Sequence, residues 1–167
     1  IVSIMGPHVW GYDDDSPEQA AAEALRRCRL TVATMESCTG GLLASFITDV
    51  PGSSGHFRGG IVAYSKESKI RNGVSADLIE QFGAISGEIA EAMASSVRKL
   101  LGSDVGIGVT GVAGPSKEEG KAIGTVFIAI VTGTITKVLE LNLPPRRALV
   151  KTRASTVALI ELCRLLN

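Results

Sequence analysis

Histidine is nearly absent from these 167 residues, with only His8 and His56, and cysteine is scarce and odd in number, at Cys28, Cys38 and Cys163. A serine–histidine–carboxylate triad therefore has little to draw on: His8 lies in an N-terminal arm, and His56 sits in a Gly/Ser loop with no obvious carboxylate to orient it. Three cysteines cannot all pair within one chain, and their spacing matches no zinc or thioredoxin pattern, so a reducing compartment and metal-independent chemistry are expected. Excess charge of one sign is missing as well. Seventeen Lys+Arg balance seventeen Asp+Glu, which removes the electrostatic footprint of a nucleic-acid or anionic-membrane partner. No apolar run reaches membrane-span length, and the opening "IVSIMGPHVWGYDDDSPEQ" lacks the basic start, apolar core and small-residue cleavage site of a signal peptide. The expectation is a cytoplasmic domain, without cofactor, acting on a small neutral or anionic molecule.

What is present fits one globular domain with a sizeable core, since 45% of the residues are hydrophobic and 20% charged. Residues 1–15 carry no sustained period and read as a connecting arm, leaving 16–167 as the folded domain. Ser16-Pro17-Glu18-Gln19 is an N-cap, a first-turn proline and a reciprocal capping partner, and predicts a helix over about 17–28 with Ala21, Leu25 and Cys28 facing the core. "RLTVATM" and "GGIVAYS" read as strands, each followed by a helix, the first starting near Gly40 and the second covering "KESKIRNG". Ser75 and Ser86 open two more helices, ending at Gly83 and Gly102. Three strands follow in "DVGIGVTG", "GTVFIAIVTG" and "TITKVLELNL", the last two joined by a turn at Thr132-Gly133. A final helix from about Arg146 to Leu166 aligns Ile160, Cys163 and Leu166. This alternation predicts an α/β fold, a layered α/β/α single domain with a mixed, mostly parallel sheet. Ligands in such sheets bind beyond the carboxyl ends of the strands, which directs attention to the loops beginning at Glu36, Tyr64 and Thr110.

Two familiar signatures are only mimicked. Gly106 to Gly111 fits G-x-G-x-x-G, but it lies inside a strand-like run and leads to Pro115 and a charged loop, not to a helix. Gly114 to Lys121 has the wrong spacing for a phosphate loop, and Ala122 stands where a magnesium-binding hydroxyl is needed. "ATMESCTGGLLASF" (Ala33–Phe46) is more informative. It places a hydroxyl, a thiol and bare backbone N–H groups at a strand-to-helix junction, as an anion site or an activated nucleophile requires. Cys38 with His56 is one possible pair. The other route to an activated hydroxyl is a lysine kept neutral by desolvation and helped by a tyrosine, for which "VAYSKESK" supplies Tyr64, Lys66 and Lys69. The two lysines lie one helical turn apart, so spacing does not choose between them.

The blocks "ESCTGG", "DVPGSSGHFRGGIVAYSKESK", "GAISGEIAEAMA", "VTGVAGP" and "GKAIGTVFIAI", in that order from about Leu30 to Leu166, together resemble the CinA C-terminal domain family, the nicotinamide-nucleotide amidases. The resemblance implies hydrolysis of nicotinamide mononucleotide to nicotinic acid mononucleotide and ammonia, without a metal. It implies catalytic roles for Ser37, Tyr64 and Lys69, favouring Lys69 over Lys66, with Ser54 as a second candidate nucleophile close to the chemistry. Backbone around Thr39, Gly40 and Gly41 would hold the oxyanion. Thr110, Gly111 and Gly114 would line the substrate, and Arg147 would suit its phosphate, with Lys121 and Lys151 as alternative holders. The arm "VWGYDDDS" resembles the segment that joins this domain to an upstream, molybdopterin-binding-like domain. A homo-oligomer is also expected. Two departures stand out: the loop "GPSKEEGKAIG" is shorter than the family's glycine-rich version, with Ala122 in place of a proline, and "PPRR" replaces its approach to Arg147. A non-catalytic nucleotide-binding domain and a structural oligomerisation module are the alternative functions.

Overall fold

The computed structural model describes residues 16–167, so the arm expected over 1–15 lies outside the described residues. The described residues form six α-helices, α1 (Pro17–Cys28), α2 (Leu42–Thr48), α3 (Lys66–Arg71), α4 (Ala76–Phe82), α5 (Gly87–Leu100) and α6 (Arg147–Leu166), and five strands, helix and strand alternating up to α3, after which α4 and α5 follow directly and three strands run in succession before α6. The strands are β1 (Val32–Glu36), β2 (Phe57–Val62), β3 (Val105–Gly111), β4 (Thr125–Val131) and β5 (Thr136–Asn142), ordered β2-β1-β3-β4-β5 in one sheet. β2, β1 and β3 are parallel, whereas β4 pairs antiparallel with both β3 and β5. The sheet is mixed as expected, but evenly so, because "GTVFIAIVTG" runs antiparallel to β3 as well as to the strand that follows it.

Burial follows position in the sheet. β1, β3 and β4 are buried along almost their whole length, and their sequences are near-continuous apolar runs, as strands covered on both faces must be. The edge strands β2 and β5 alternate between partly buried and exposed residues. On one face, α1, α2 and α6 pack Leu25, Leu43, Val150, Ala154 and Leu162 against Val105, Ile107, Ile128 and Ile130. On the other, α5 covers the sheet with Ile89, Met93 and Val97. The approach of α5 is unusually close. A Cβ on Gly106 would stand 2.0 Å from the Ala94 carbonyl oxygen, and one on Gly108 would stand 2.1 Å from that of Ala90. The mimicked dinucleotide motif is therefore a seat for a helix.

α1 begins as the sequence predicts. Ser16 Oγ accepts from Gln19 N while Gln19 Oε1 accepts from Ser16 N, and Arg29 closes the helix with φ at 56°. Two predicted core positions are corrected. Cys28 is exposed, because the buried face of α1 runs through Ala21, Ala22, Ala24 and Leu25 and leaves the last residue beyond it. In α6 the buried stripe is Val150, Ala154, Ala158 and Leu162, with Cys163 beside it, whereas Ile160 is only partly buried. The second strand also starts earlier than "GGIVAYS" suggests and ends at Val62, so Tyr64 belongs to the loop.

Candidate active site

Because β1, β2 and β3 are parallel, the segments that follow Glu36, Val62 and Gly111 all emerge at one rim. The ladder continues one residue into these loops, with Ser37 N donating to Val109 O at 2.9 Å and Ala63 N to Glu36 O at 2.8 Å. Ser37 is thereby fixed between its two neighbouring strands. Lys69 reaches it from α3, which starts where Ser65 Oγ accepts from Ser68 N.

Lys69 is 2% exposed, and its Nζ lies 3.0 Å from Ser37 Oγ, 3.1 Å from Ala63 O and 3.5 Å from Tyr64 O. Among the described residues it has no carboxylate partner. Burial pushes its pKa down, the charges of Glu118 and Glu119 only partly opposing. Ser37 Oγ in turn lies 3.4 Å from Tyr64 O; a neutral amine fits this environment too, with two N–H groups donating to the two carbonyls and its lone pair left for the serine proton. Lys66, the alternative that spacing left open, points outward to Glu119 at 2.9 Å and is held protonated by that contact.

These groups line a cleft of about 380 Å³ together with Cys38, Tyr64, Thr110, Gly111, Gly114 and Arg147. Tyr64 is 57% exposed at its mouth. Arg147, the first residue of α6, donates through Nη1 to Gly114 O at 2.6 Å and through Nη2 to Tyr64 Oη at 2.9 Å. Thr110 Oγ1 donates to Ala84 O at 2.8 Å, tying β3 to the wall that precedes α5. Cys38 is buried against the core and its thiol is pushed up to about 12, chiefly by burial. That leaves essentially no thiolate at neutral pH.

Five expected residues are not gathered here. Ser54 lies in the short 3₁₀ turn Ser53–Gly55 that precedes β2, at the opposite end of the sheet, so it stands roughly 13 Å or more from Ser37 by the length of β1. His56 belongs to that far rim too, where its carbonyl accepts from Val32 N, which excludes the pair with Cys38. Thr39 is fully buried and does not line the cleft. The Gly40 and Gly41 amides are already used, one by Ser37 O at 3.0 Å and the other by Glu36 Oε2 at 3.0 Å. Glu36 also accepts from Leu43 N at 3.1 Å and Ala44 N at 2.8 Å, so its carboxylate occupies the amino end of α2 where an oxyanion was expected. Of this stretch, Cys38 keeps its amide without an oxygen partner among the described residues and lines the cleft.

Sequence reasoning assigned no role to Glu36 or Glu119, nor to the Ala84-Ile85 wall. The only sequence signal for Glu36 was a carboxylate at the end of an apolar strand.

With the geometry in hand, the relationship to known proteins is clear. The model of the CinA C-terminal domain matches residues 14–166. A competence-damage inducible protein, so named, of Desulforamulus reducens is 43% identical over 153 residues, 91% of this chain and 37% of the relative. A CinA-like protein of Kosmotoga olearia is 40% identical over 157 residues, 93% of this chain and 38% of the relative. The chain thus spans little more than a third of the length of these relatives. The crystal structure of a competence or damage-inducible protein from Enterobacter asburiae superposes with a TM-score of 0.87 at 29% identity, covering 92% of this chain and all of that one. A CinA-superfamily protein from Escherichia coli gives 0.85 at 26% identity, covering 96% of this chain and 98% of that one. The chain belongs to the CinA C-terminal domain family.

Proposed function

We propose that the domain hydrolyses the carboxamide of nicotinamide mononucleotide to nicotinic acid mononucleotide and ammonia, with Ser37 as nucleophile and Lys69 as its base. One observation carries this reading: the 3.0 Å contact between Ser37 Oγ and a buried amine that has no carboxylate partner among the described residues. A serine hydroxyl is a weak nucleophile until an adjacent base takes its proton, and a lysine whose pKa is lowered by burial is such a base.

In the reaction, Ser37 Oγ bonds to the carboxamide carbon as its proton passes to Lys69 Nζ, and the carbonyl oxygen becomes an oxyanion. The Cys38 amide, next to the nucleophile and without an oxygen partner among the described residues, is a donor for that oxyanion. Collapse breaks the C–N bond, and the leaving nitrogen takes the proton back from the lysine and departs as ammonia. Water then attacks the acyl-serine, giving a proton to Lys69; the ester C–O bond breaks, Ser37 Oγ takes that proton back from the lysine, and nicotinic acid mononucleotide leaves, its new carboxyl group releasing a proton to solvent. Tyr64 is a proton relay at the mouth: its oxygen accepts from Arg147, so its own proton is free to be donated inward. Two contacts occupy only part of the five-donor guanidinium of Arg147, which leaves donors for the phosphate of the mononucleotide.

A coupled ammonia-release assay with nicotinamide mononucleotide tests the reading. Ser37→Ala and Lys69→Met should each lose on the order of a thousand-fold or more in kcat, because a nucleophile and its base act as one unit. Both should still gain thermal stability with the mononucleotide. Ser37→Ala retaining wild-type turnover would overturn the assignment. A stability gain in the wild-type domain with no ammonia released would instead favour a nucleotide-binding domain without turnover.

A further inference from the structure

The segment between β3 and β4 turns back over the cleft as a strap, and its tip carries an anomaly. Glu118 and Lys121 exchange backbone hydrogen bonds at 2.9 and 3.3 Å around Glu119 and Gly120, both with positive φ, at 49° and 74°. This is a two-residue hairpin turn of the type that favours Asn, Asp or Gly at both central positions. A glutamate in the left-handed region is uncommon, and such an outlier invites a question about what its side chain does.

The Glu119 carboxylate is fully engaged. Oε1 accepts from Ala84 N at 3.0 Å, Oε2 accepts from Ile85 N at 3.0 Å, and Lys66 Nζ lies 2.9 Å from Oε1. Two successive amides aimed at one carboxylate form a fork that a neutral side chain matches poorly. Gly83, with φ at 76°, makes room for it, since a Cβ there would stand 2.5 Å from Oε2. The other end of the strap is held by Arg147 on Gly114 O. Glu119 does not itself line the cleft, whereas Ala84, Ile85 and Lys66 all do. Beyond the ion pair lies a wider, shallow groove of about 640 Å³ floored by Ile70, Ile79 and Phe82, and Lys66 lines both spaces. The Lys66–Glu119 pair is thus the partition between them.

We propose that Glu119 is a positioning residue that latches the strap to the Ala84-Ile85 wall and to α3, and so sets the shape of the substrate cleft. It acts through Ala84, Ile85 and Lys66 and takes no part in bond making. The consequence for catalysis rests on the amidase reading, but the latch itself does not. If it holds, breaking it merges the cleft with the groove, which loosens substrate binding more than it slows the chemistry.

Glu119→Gln tests this, with Lys66→Met as a second variant that keeps the carboxylate. A glutamine cannot accept from both amides, because one of its two positions is itself a donor. Amide hydrogen exchange followed by NMR should speed up about ten-fold or more at Ala84 and Ile85 in Glu119→Gln, with β3 amides unchanged as a control for the fold. Unchanged exchange at both amides would overturn the latch. In the amidase assay, Glu119→Gln should raise KM for nicotinamide mononucleotide about ten-fold while kcat stays within about two-fold, and Lys66→Met should shift KM in the same direction by less. A loss confined to kcat, or wild-type kinetics despite altered exchange, would overturn the positioning role. If the wild-type domain releases no ammonia, it is the amidase reading that fails, and the exchange rates alone decide the latch.

Discussion

At the scale of single residues, the site is built around a lysine with no counter-ion among the described residues. Lys69 is buried and its pKa is lowered by desolvation, so its charged form is the disfavoured one. Two consequences share one sign. In the proposed reaction kcat/KM should rise with pH as Lys69 loses its proton and level off below the ordinary lysine value of 10.5. Folding stability should rise with pH through the same interval, between the folded pKa and 10.5, because there the unfolded chain binds the extra proton. Denaturant unfolding of wild type and Lys69→Met at several pH values checks this: the difference between the two slopes isolates the lysine from Cys38 and Cys163, whose raised thiol pKa values pull stability down in both proteins as pH passes 9.0, and if both slopes are equal the lysine is not buried as a neutral base. Ser37, Tyr64 and Lys69 were legible as chemistry-bearing types beside strand ends. The choice of Lys69 over Lys66 was not legible from spacing, because it depends on which side of a six-residue helix faces β1. Ser54 misled for a related reason, since a resemblance of sequence blocks does not say at which end of a strand a serine stands.

At the scale of elements, the helices and strands were legible from caps, glycines and apolar runs, and their ends shifted by only a few residues. What the pattern hid were contacts between elements. Glu36 caps α2 from the end of the preceding strand, five residues before Gly41, the N-cap, so no local capping signature announces it. Gly106 and Gly108 likewise mimic a nucleotide motif in one dimension and prove to be a packing surface in three. Gly108→Ala should accordingly cost about 3 kcal/mol or more, because its Cβ meets backbone of α5 at 2.1 and 2.7 Å that cannot rotate away. Gly55→Ala, with nothing within 4 Å of the added atom, should change stability by less than about 1 kcal/mol. Urea midpoints compare the two; equal losses would mean that α5 yields freely.

For the molecule as a whole, the two rims of the sheet carry different burdens. The carboxyl rim holds the cleft, while the amino rim holds His56, buried with neither ring nitrogen partnered among the described residues and its pKa lowered by burial and then by Arg26. Above its unfolded pKa of 6.5 this histidine is neutral in both states; as pH falls below that value the unfolded chain takes up a proton that the fold resists, so stability declines. Glu119, Asp104 and Glu161 have carboxyl pKa values already lowered in the fold, so their own losses begin at more acid pH. Unfolding between about pH 5 and 6.5 should show the decline in wild type and a flatter profile in His56→Phe; identical profiles would absolve the histidine. The reversal of direction at β4 has a different consequence. Had β4 run parallel to β3, its connection would have had to descend the face of the sheet and leave the carboxyl rim open to solvent. An antiparallel β4 starts and finishes that connection on the same rim, so a roof over the cleft follows from topology alone. Its length is free to vary without disturbing any strand register, which makes this one loop a gauge that can be lengthened or shortened to admit molecules of different size.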